Sequence, residues 1–224
     1  MGQYRIAELN LEILTNSKTL LKHLKPYETS FEYKPNLTLS ISDDMLLQFM
    51  EEYEGFTADV IECIYLSTEF MRALFDFNGI SVFSTAVEYD GSAVLFAAPF
   101  SEENVADKLP DDKVLAVDYP AIRLISDTFY AYGTPFGMMG DKAKDVKLPI
   151  KSIVYVDNER FDSLKTLDTK DMVSCFVRSV MMSIKSERTK HSLFMLEKMM
   201  RKVKFYGVGD LSDVDFILEK VTEE

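Results

Sequence analysis

Apolar and polar positions change period several times along this chain, and each change marks an element. Tyr4 to Ala7 and Leu9 to Leu14 alternate, which predicts two β segments. Ser17 to Leu24 reads as a short helix ahead of Pro26. Leu37, Leu39 and Ile41 alternate with Thr38 and Ser40, the pattern of a half-buried strand. Asp43 then reads as the cap of a short helix over Met45 to Glu52. From Ala58 to Phe77 the spacing turns helical, with Val60, Ile64, Met71, Leu74 and Phe75 on one stripe. Asn78-Gly79 is its stop signal. Val82 to Glu88 is β-rich, and Ser92 to Phe96 is a short apolar strand. Asp90-Gly91 joins them, because glycine accepts the positive φ of a tight hairpin turn.

The second half continues in the same alternating style. Ser101 opens a predicted helix to Leu109, with Glu102 and Glu103 in its first turn. Lys113 to Val117 is a strand that ends at Asp118. Ala121 to Ile125 and Phe129 to Tyr132 form a second hairpin around Ser126-Asp127. Asp141 to Lys147 reads as a charged, mobile connector, and Pro149 to Val156 as a buried strand. Asp171 to Ile184 is a strongly amphipathic helix with Met172, Val173, Phe176, Val177, Val180, Met181 and Ile184 on one face. Ser192 to Lys202 is a helix, Val203 to Val208 a strand, and Val214, Ile217, Leu218 and Val221 mark a last helix. Ser212, with Asp215 three residues on, resembles a capping box for it.

Composition narrows the function classes. The 224 residues fit one large domain, or one domain with an N-terminal extension, 47% apolar and 28% charged and long enough to bury a sizeable core. A net charge of −12 argues against nucleic-acid and anionic-membrane partners, which demand a basic face. It is compatible with a basic protein partner. No apolar run approaches the ~20 residues of a membrane helix. Met1 to Asn10 lacks a leader's apolar stretch, and Ile6 stands where a myristoylation signal at Gly2 needs Ser or Thr. Cys63 and Cys175 both lie in helical patterns and read as buried reduced thiols. The expected location is the cytoplasm. Two histidines and no cysteine cluster leave no zinc motif.

The stretch Ser81 to Leu109 carries the chemistry. Strand, loop, helix is the context of a phosphate-binding loop, G-x-x-x-x-G-K-[ST]. Laid on Ala98 to Val105, that frame puts Ala98 and Glu103 at its glycines, Asn104 at its lysine and Val105 at its Ser/Thr. The run Val82-Phe83-Ser84-Thr85-Ala86-Val87, then Asp90-Gly91-Ser92-Ala93-Val94-Leu95-Phe96, then Ala97-Ala98-Pro99 and Ala106-Asp107-Lys108-Leu109 resembles the small HPr kinase-like proteins. These are relatives of HPr serine kinase/phosphorylase with a PEP carboxykinase-like fold. Tyr4-Arg5-Ile6-Ala7-Glu8-Leu9, Asn78-Gly79-Ile80 and the loop Gly133-Thr134-Pro135-Phe136-Gly137 are similar to further family segments. The likeness covers nearly the whole chain and is most specific over 78–109 and 118–137. It implies a mixed, β-rich α/β fold: a central mixed sheet with flanking helices and an N-terminal β segment. The chain divides into 1–56, β-rich; 57–164, the core with the degenerate loop; and 165–224, mostly helical.

The resemblance also marks what is missing. The family's histidine position holds Phe83, and its second acidic slot holds Tyr119 beside Asp118. In an intact loop the lysine neutralises phosphate and the hydroxyl holds Mg²⁺. Here Glu102 and Glu103 would face the phosphates, each like-charge pair at ~4 Å costing about 4 kcal/mol at an effective dielectric near 20. Either Glu, aided by a Ser101 cap, could fill the anion site itself.

The expected function is a catalytically degenerate HPr kinase-like protein that binds a protein or peptide, with no cofactor and no metal. A homo-oligomer is compatible with it. The alternative is an active phosphotransferase using ATP and Mg²⁺, with Asp118 as base or metal ligand and Lys108 or Arg123 as borrowed cations. A third reading is a small-molecule sensor using the cleft above Gly133, Thr134, Pro135, Phe136 and Gly137. The basic group Lys185, Arg188, Lys190, Lys198, Arg201, Lys202 and Lys204 reads as a solvated helix face, with an acidic-peptide dock as the other option. Met181-Met182 and Met199-Met200 read as core filler.

Overall fold

A computed structural model describes residues 2–98, 104–137, 140–180 and 186–223, with backbone alone at 141 and 186–188. The chain begins with a hairpin, β1 (Gly2–Ile6) and β2 (Leu9–Ile13), whose two-residue turn puts Ala7 and Glu8 in the left-handed region. Helix α1 (Lys18–Leu24) follows, capped by the Ser17 side chain on the Leu20 N–H. Strand β3 (Leu37–Leu39) then pairs parallel to β2 and completes a three-stranded sheet. Helices α2 (Asp43–Glu52) and α3 (Ala58–Ala73) come next. A 3₁₀ turn over Leu74–Phe77 and a left-handed Asn78 end α3, as the Asn-Gly stop signal predicts.

Among the described residues the larger sheet has nine strands. In chain order they are β4 (Gly79–Ser81), β5 (Thr85–Tyr89), β6 (Ser92–Ala97), β7 (Val114–Ala116), β8 (Ala121–Ile125), β9 (Thr128–Tyr132), β10 (Lys147–Val156), β11 (Lys165–Thr166) and β12 (Lys204–Val208). The spatial order is β4-β8-β9-β10-β6-β5-β7, with β12 also on β10 and β11 on β12. Strands β6, β10 and β12 run parallel, and the other pairings are antiparallel. The architecture is therefore mixed α/β. Strand β10 changes neighbours along its length. Lys147 to Pro149 pair with β9, and after a register shift at Ile150 the strand lies between β6 and β12.

Period-two alternation puts the central strands' side chains into two separate cores. Leu95, Ile153, Tyr155 and Phe205 face α4 (Thr169–Ser179) and α5 (Ser186–Met200). Val94, Phe96, Val154 and Val156 face α6 (Val214–Thr222). Strands buried on both faces need apolar residues at consecutive positions, which explains the unbroken run Ala93 to Ala97. A third core joins the small sheet, α1 and α3 to Ala121, Tyr132 and Phe136, so the first forty residues share their interior with the rest.

Several boundaries differ from the sequence reading. The cap of α2 is Ser42, with Asp43 inside the first turn. The cap of α6 is Asp213, whose carboxylate accepts from the Phe216 N–H, and not Ser212. Val82 to Glu88 is no single strand. Val82 bridges to Val180, Phe83 and Ser84 bend, and β5 starts at Thr85. That same bridge ends α4 at Ser179, where the amphipathic pattern runs on to Ile184. Val173 and Val177 are exposed, and Met181 and Ile184 lie outside the described residues. Helix α5 starts at Ser186, before Ser192. Of the helix expected over Ser101 to Leu109, the described part is a 3₁₀ turn at Val105–Asp107. The connector Asp141 to Lys147 is held to its neighbours. Lys144 N–H donates to Leu115 O at 3.1 Å, and Gly133 N–H donates to Val146 O at 3.2 Å.

Candidate functional site

Asp118 lies where β7 ends. The ladder between β5 and β7 closes with Ser84 N–H donating to Asp118 O at 3.0 Å. Asp118 then takes φ 69°, a left-handed conformation that Asp tolerates better than most residues. This turn presents it to a cleft of about 310 Å³ between α3 and the loop after β9. Asp118, Tyr119, Phe83 and Gly137 form one wall. Cys63, Ile64, Ser67, Thr68 and Met71 of α3 form the other. Among the described residues this lining holds one carboxylate, Asp118, and no Lys, Arg or His.

The two positions where the resemblance expects a histidine and a second acid face each other as an aromatic pair. The Phe83 and Tyr119 rings meet edge to face at 5.4 Å and 63°. Burial raises the Tyr119 hydroxyl's pKa, and the Asp118 carboxylate beside it adds to the shift. A general base or acid needs a pKa near the working pH, so this phenol is displaced in the unhelpful direction. Across the cleft, the Ser67 hydroxyl donates to Cys63 O at 2.7 Å and accepts from the Gly137 N–H at 3.3 Å. Burial raises the Cys63 thiol's pKa, which removes thiolate reactivity at neutral pH.

The loop Gly133 to Gly137 contributes mostly from beneath. Thr134 is buried and donates to the Tyr119 backbone O at 3.1 Å, holding the backbone of the residue whose ring faces Phe83. Pro135 and Phe136 are buried, and the Phe136 ring stacks on Phe70 at 4.5 Å. A Cβ on Gly133 would stand 1.9 Å from Lys144 O. Gly137 alone reaches the cleft. Its φ of 109° excludes other residues, and a Cβ there would lie 3.4 Å from Asp118 Oδ2.

The phosphate-loop frame divides in the same way. Ser101, Glu102 and Glu103 lie outside the described residues. Ala98 is half-buried at the end of β6. Asn104, at the lysine position, accepts from the Thr85 hydroxyl at 3.0 Å and from the Ala106 N–H at 2.9 Å, capping the 3₁₀ turn. Val105, at the metal-hydroxyl position, is buried in the core with Phe96, Val156 and Leu218. Both side chains are built into structure.

The cations of the alternative reading have neighbours of their own. Arg123 donates to Ala7 O at 2.7 Å and to Phe77 O at 3.2 Å, and Lys108 to Leu211 O at 3.0 Å. On the basic face, Arg201 pairs with Glu197, Lys202 with Asp127, and Lys204 donates to Glu223 O. Lys185 and the Arg188 side chain lie outside the described residues.

Sequence reasoning missed the α3 wall. Ser67 and Thr68 interrupt an otherwise apolar helical turn, and that was the available signal. Ile64, which the sequence puts on the helix's apolar stripe, is exposed and, with Thr68, opens the cleft onto a larger apolar groove against α2. No protein-family model matches the chain, and a search of curated proteins found no match.

Proposed function

We propose that this chain is a catalytically degenerate HPr kinase-like protein, keeping a PEP carboxykinase-like fold and binding a protein or peptide partner in place of nucleotide. The observation that carries the reading is that the two positions the frame assigns to lysine and Ser/Thr serve as structure. Asn104 holds Thr85 and its own turn, and Val105 fills the core. A lysine and a metal-binding hydroxyl at those places would have to project into the site. The facing wall supports the same reading, since Phe83 and Tyr119 pack on each other where a histidine and an acid are expected. Asp118 is the one carboxylate in the described lining of the cleft, and a single carboxylate makes a poor Mg²⁺ site. The reading needs no cofactor. It puts the chain in the cytoplasm, where Cys63 and Cys175, buried and unbridged, remain thiols.

Calorimetric titration with ATP and Mg²⁺ into the millimolar range tests it. The expected result is no heat of binding and no rise in Tm. Saturable binding near micromolar nucleotide would overturn the reading. The persistence of Asp118 in an open cleft favours the second reading, a phosphotransferase with a non-standard site. Under that reading, Mg²⁺-dependent phosphoryl transfer would be present and abolished by Asp118→Asn.

A further inference from the structure

The groove beyond Ile64 is lined mostly by apolar residues, several of which no described residue covers. Helix α2 buries no residue, and only Leu46 and Phe49 on it are half-buried. Phe49 packs on Tyr65 of α3 at 5.8 Å, and this contact forms the floor. Tyr53, Phe56 and Ile64 stand about half exposed around a groove of about 490 Å³. Along α3 the lining runs from Ile61 to Arg72. At 1.5 Å per residue this is about 16 Å, close to three helical turns. Through Ile64 and Thr68 it continues into the Asp118 cleft.

Charge selects the occupant. From Pro35 to Met71 the chain has eight Asp or Glu and no Lys, Arg or His. Two of these acids hold the fold, since Asp59 accepts from Lys18 and Thr19, and Glu62 from Asn16. Glu69 pairs with Arg72, the groove's one cation among the described residues. Asp43, Asp44, Glu51 and Glu52 on α2, and Glu54 just after it, remain exposed on the elements that carry the groove. A second copy docking through this same face would set acid against acid, on a protein already at −12.

We propose that the α2–α3 groove receives an amphipathic helix of about three turns, with apolar anchors at i, i+3, i+4 and i+7 and Lys or Arg along its flanks. The proposal names the partner class for the binding module inferred above and rests on that reading.

The test uses the full chain and synthetic peptides of about 14 residues. One is a Leu/Lys helix, one carries Glu for every Lys, and one has the Leu/Lys composition scrambled. Fluorescence anisotropy is expected to give the Leu/Lys helix at least about tenfold tighter binding than the other two, weakening as salt rises. Phe56→Ser, with its thermal unfolding checked, is expected to weaken binding about tenfold. The pair Glu51→Lys and Glu52→Lys is expected to shift preference toward the Leu/Glu peptide. Amide shifts on binding are expected to cluster in α2 and α3. Equal affinity for the Leu/Lys and Leu/Glu peptides, no binding at all, or insensitivity to Phe56→Ser would overturn the proposal. So would a dimer that Phe56→Ser dissolves. Failure here with a silent ATP titration removes only the groove, whereas ATP binding with a docked peptide removes only the degenerate-site reading.

Discussion

Val105 and Asn104, at the frame's metal-hydroxyl and lysine positions, both serve as structure, Val105 in the core and Asn104 as the cap of a turn. A hydroxyl introduced at Val105 enters a site lined by Phe96, Val156 and Leu218. Val105→Thr is therefore expected to cost about 1–3 kcal/mol, read as a lower urea midpoint with an unchanged slope. Unchanged or raised stability, with Mg²⁺ affinity gained, would contradict this account of the site. Arg123 belongs to the same scale. Its guanidinium ties the carbonyls of Ala7 and Phe77, so Arg123→Ala is expected to destabilise by about 1.5–3 kcal/mol without any effect of added ATP. A variant whose stability responds to ATP only when Arg123 is present would return that residue to the catalytic reading.

Between elements, the hairpin turn of β1 and β2 is fastened to the large sheet through Glu8. Its carboxylate accepts from Lys147 Nζ at 2.9 Å and from the Tyr132 hydroxyl at 2.8 Å. The Lys147 hydrogen bond is the main cause holding the Glu8 carboxyl below its ordinary range, against a smaller opposing effect of burial. A depressed carboxylate stabilises the fold above its unfolded pKa, about 4.3, and that stability is lost as pH falls through the folded value. Glu8→Gln is thus expected to flatten the acid limb of stability below about pH 5. The change stays under about 1 kcal/mol, because the pair is partly exposed. An identical acid limb in wild type and variant would remove Glu8 as the fastening. Inside the sheet, Ile153→Ala is expected to cost about 2–5 kcal/mol, since it opens a cavity under α4 and α5.

Local signals were the ones the sequence made readable. Asn78-Gly79, Asp90-Gly91 and Ser126-Asp127 punctuate the chain because each forces a left-handed residue that the turn requires. The two-sided burial of β6 and β10 was likewise written in continuous apolar runs. What stayed hidden depends on distant neighbours. The Val82–Val180 bridge cuts short both a strand and a helix whose own periodicity continues. Helix α3 is apolar on more than one side, so its pattern could not say that Ile64 faces a groove while Ile61 and Leu66 are buried. For the site, Asp118 was legible as a strand-end carboxylate. The meeting of Phe83 with Tyr119, and of Gly137 with Ser67, depends on the pairing of β5 with β7 and the docking of α3.

At the level of the whole molecule, the small N-terminal sheet and the nine-stranded sheet share one interior through α3, Tyr132 and Phe136. Unfolding is therefore expected to follow one cooperative transition, with calorimetric and van't Hoff enthalpies in agreement. Two separable transitions would mean that the shared core does not couple the halves. The acidic balance of the molecule is concentrated over Pro35 to Met71, beside the groove and the Asp118 cleft, so approach to both is biased against anions. On the proposed reading, that field and the neutral Asn104 at the frame's lysine position would both disfavour nucleotide. The most direct measurement is an amide chemical-shift titration of the full chain with ATP and Mg²⁺, watching Ser84, Thr85, Asn104 to Lys108 and Asp118. The account predicts that these amides do not move at millimolar nucleotide. Saturable shifts confined to them would show a working phosphate site and contradict it.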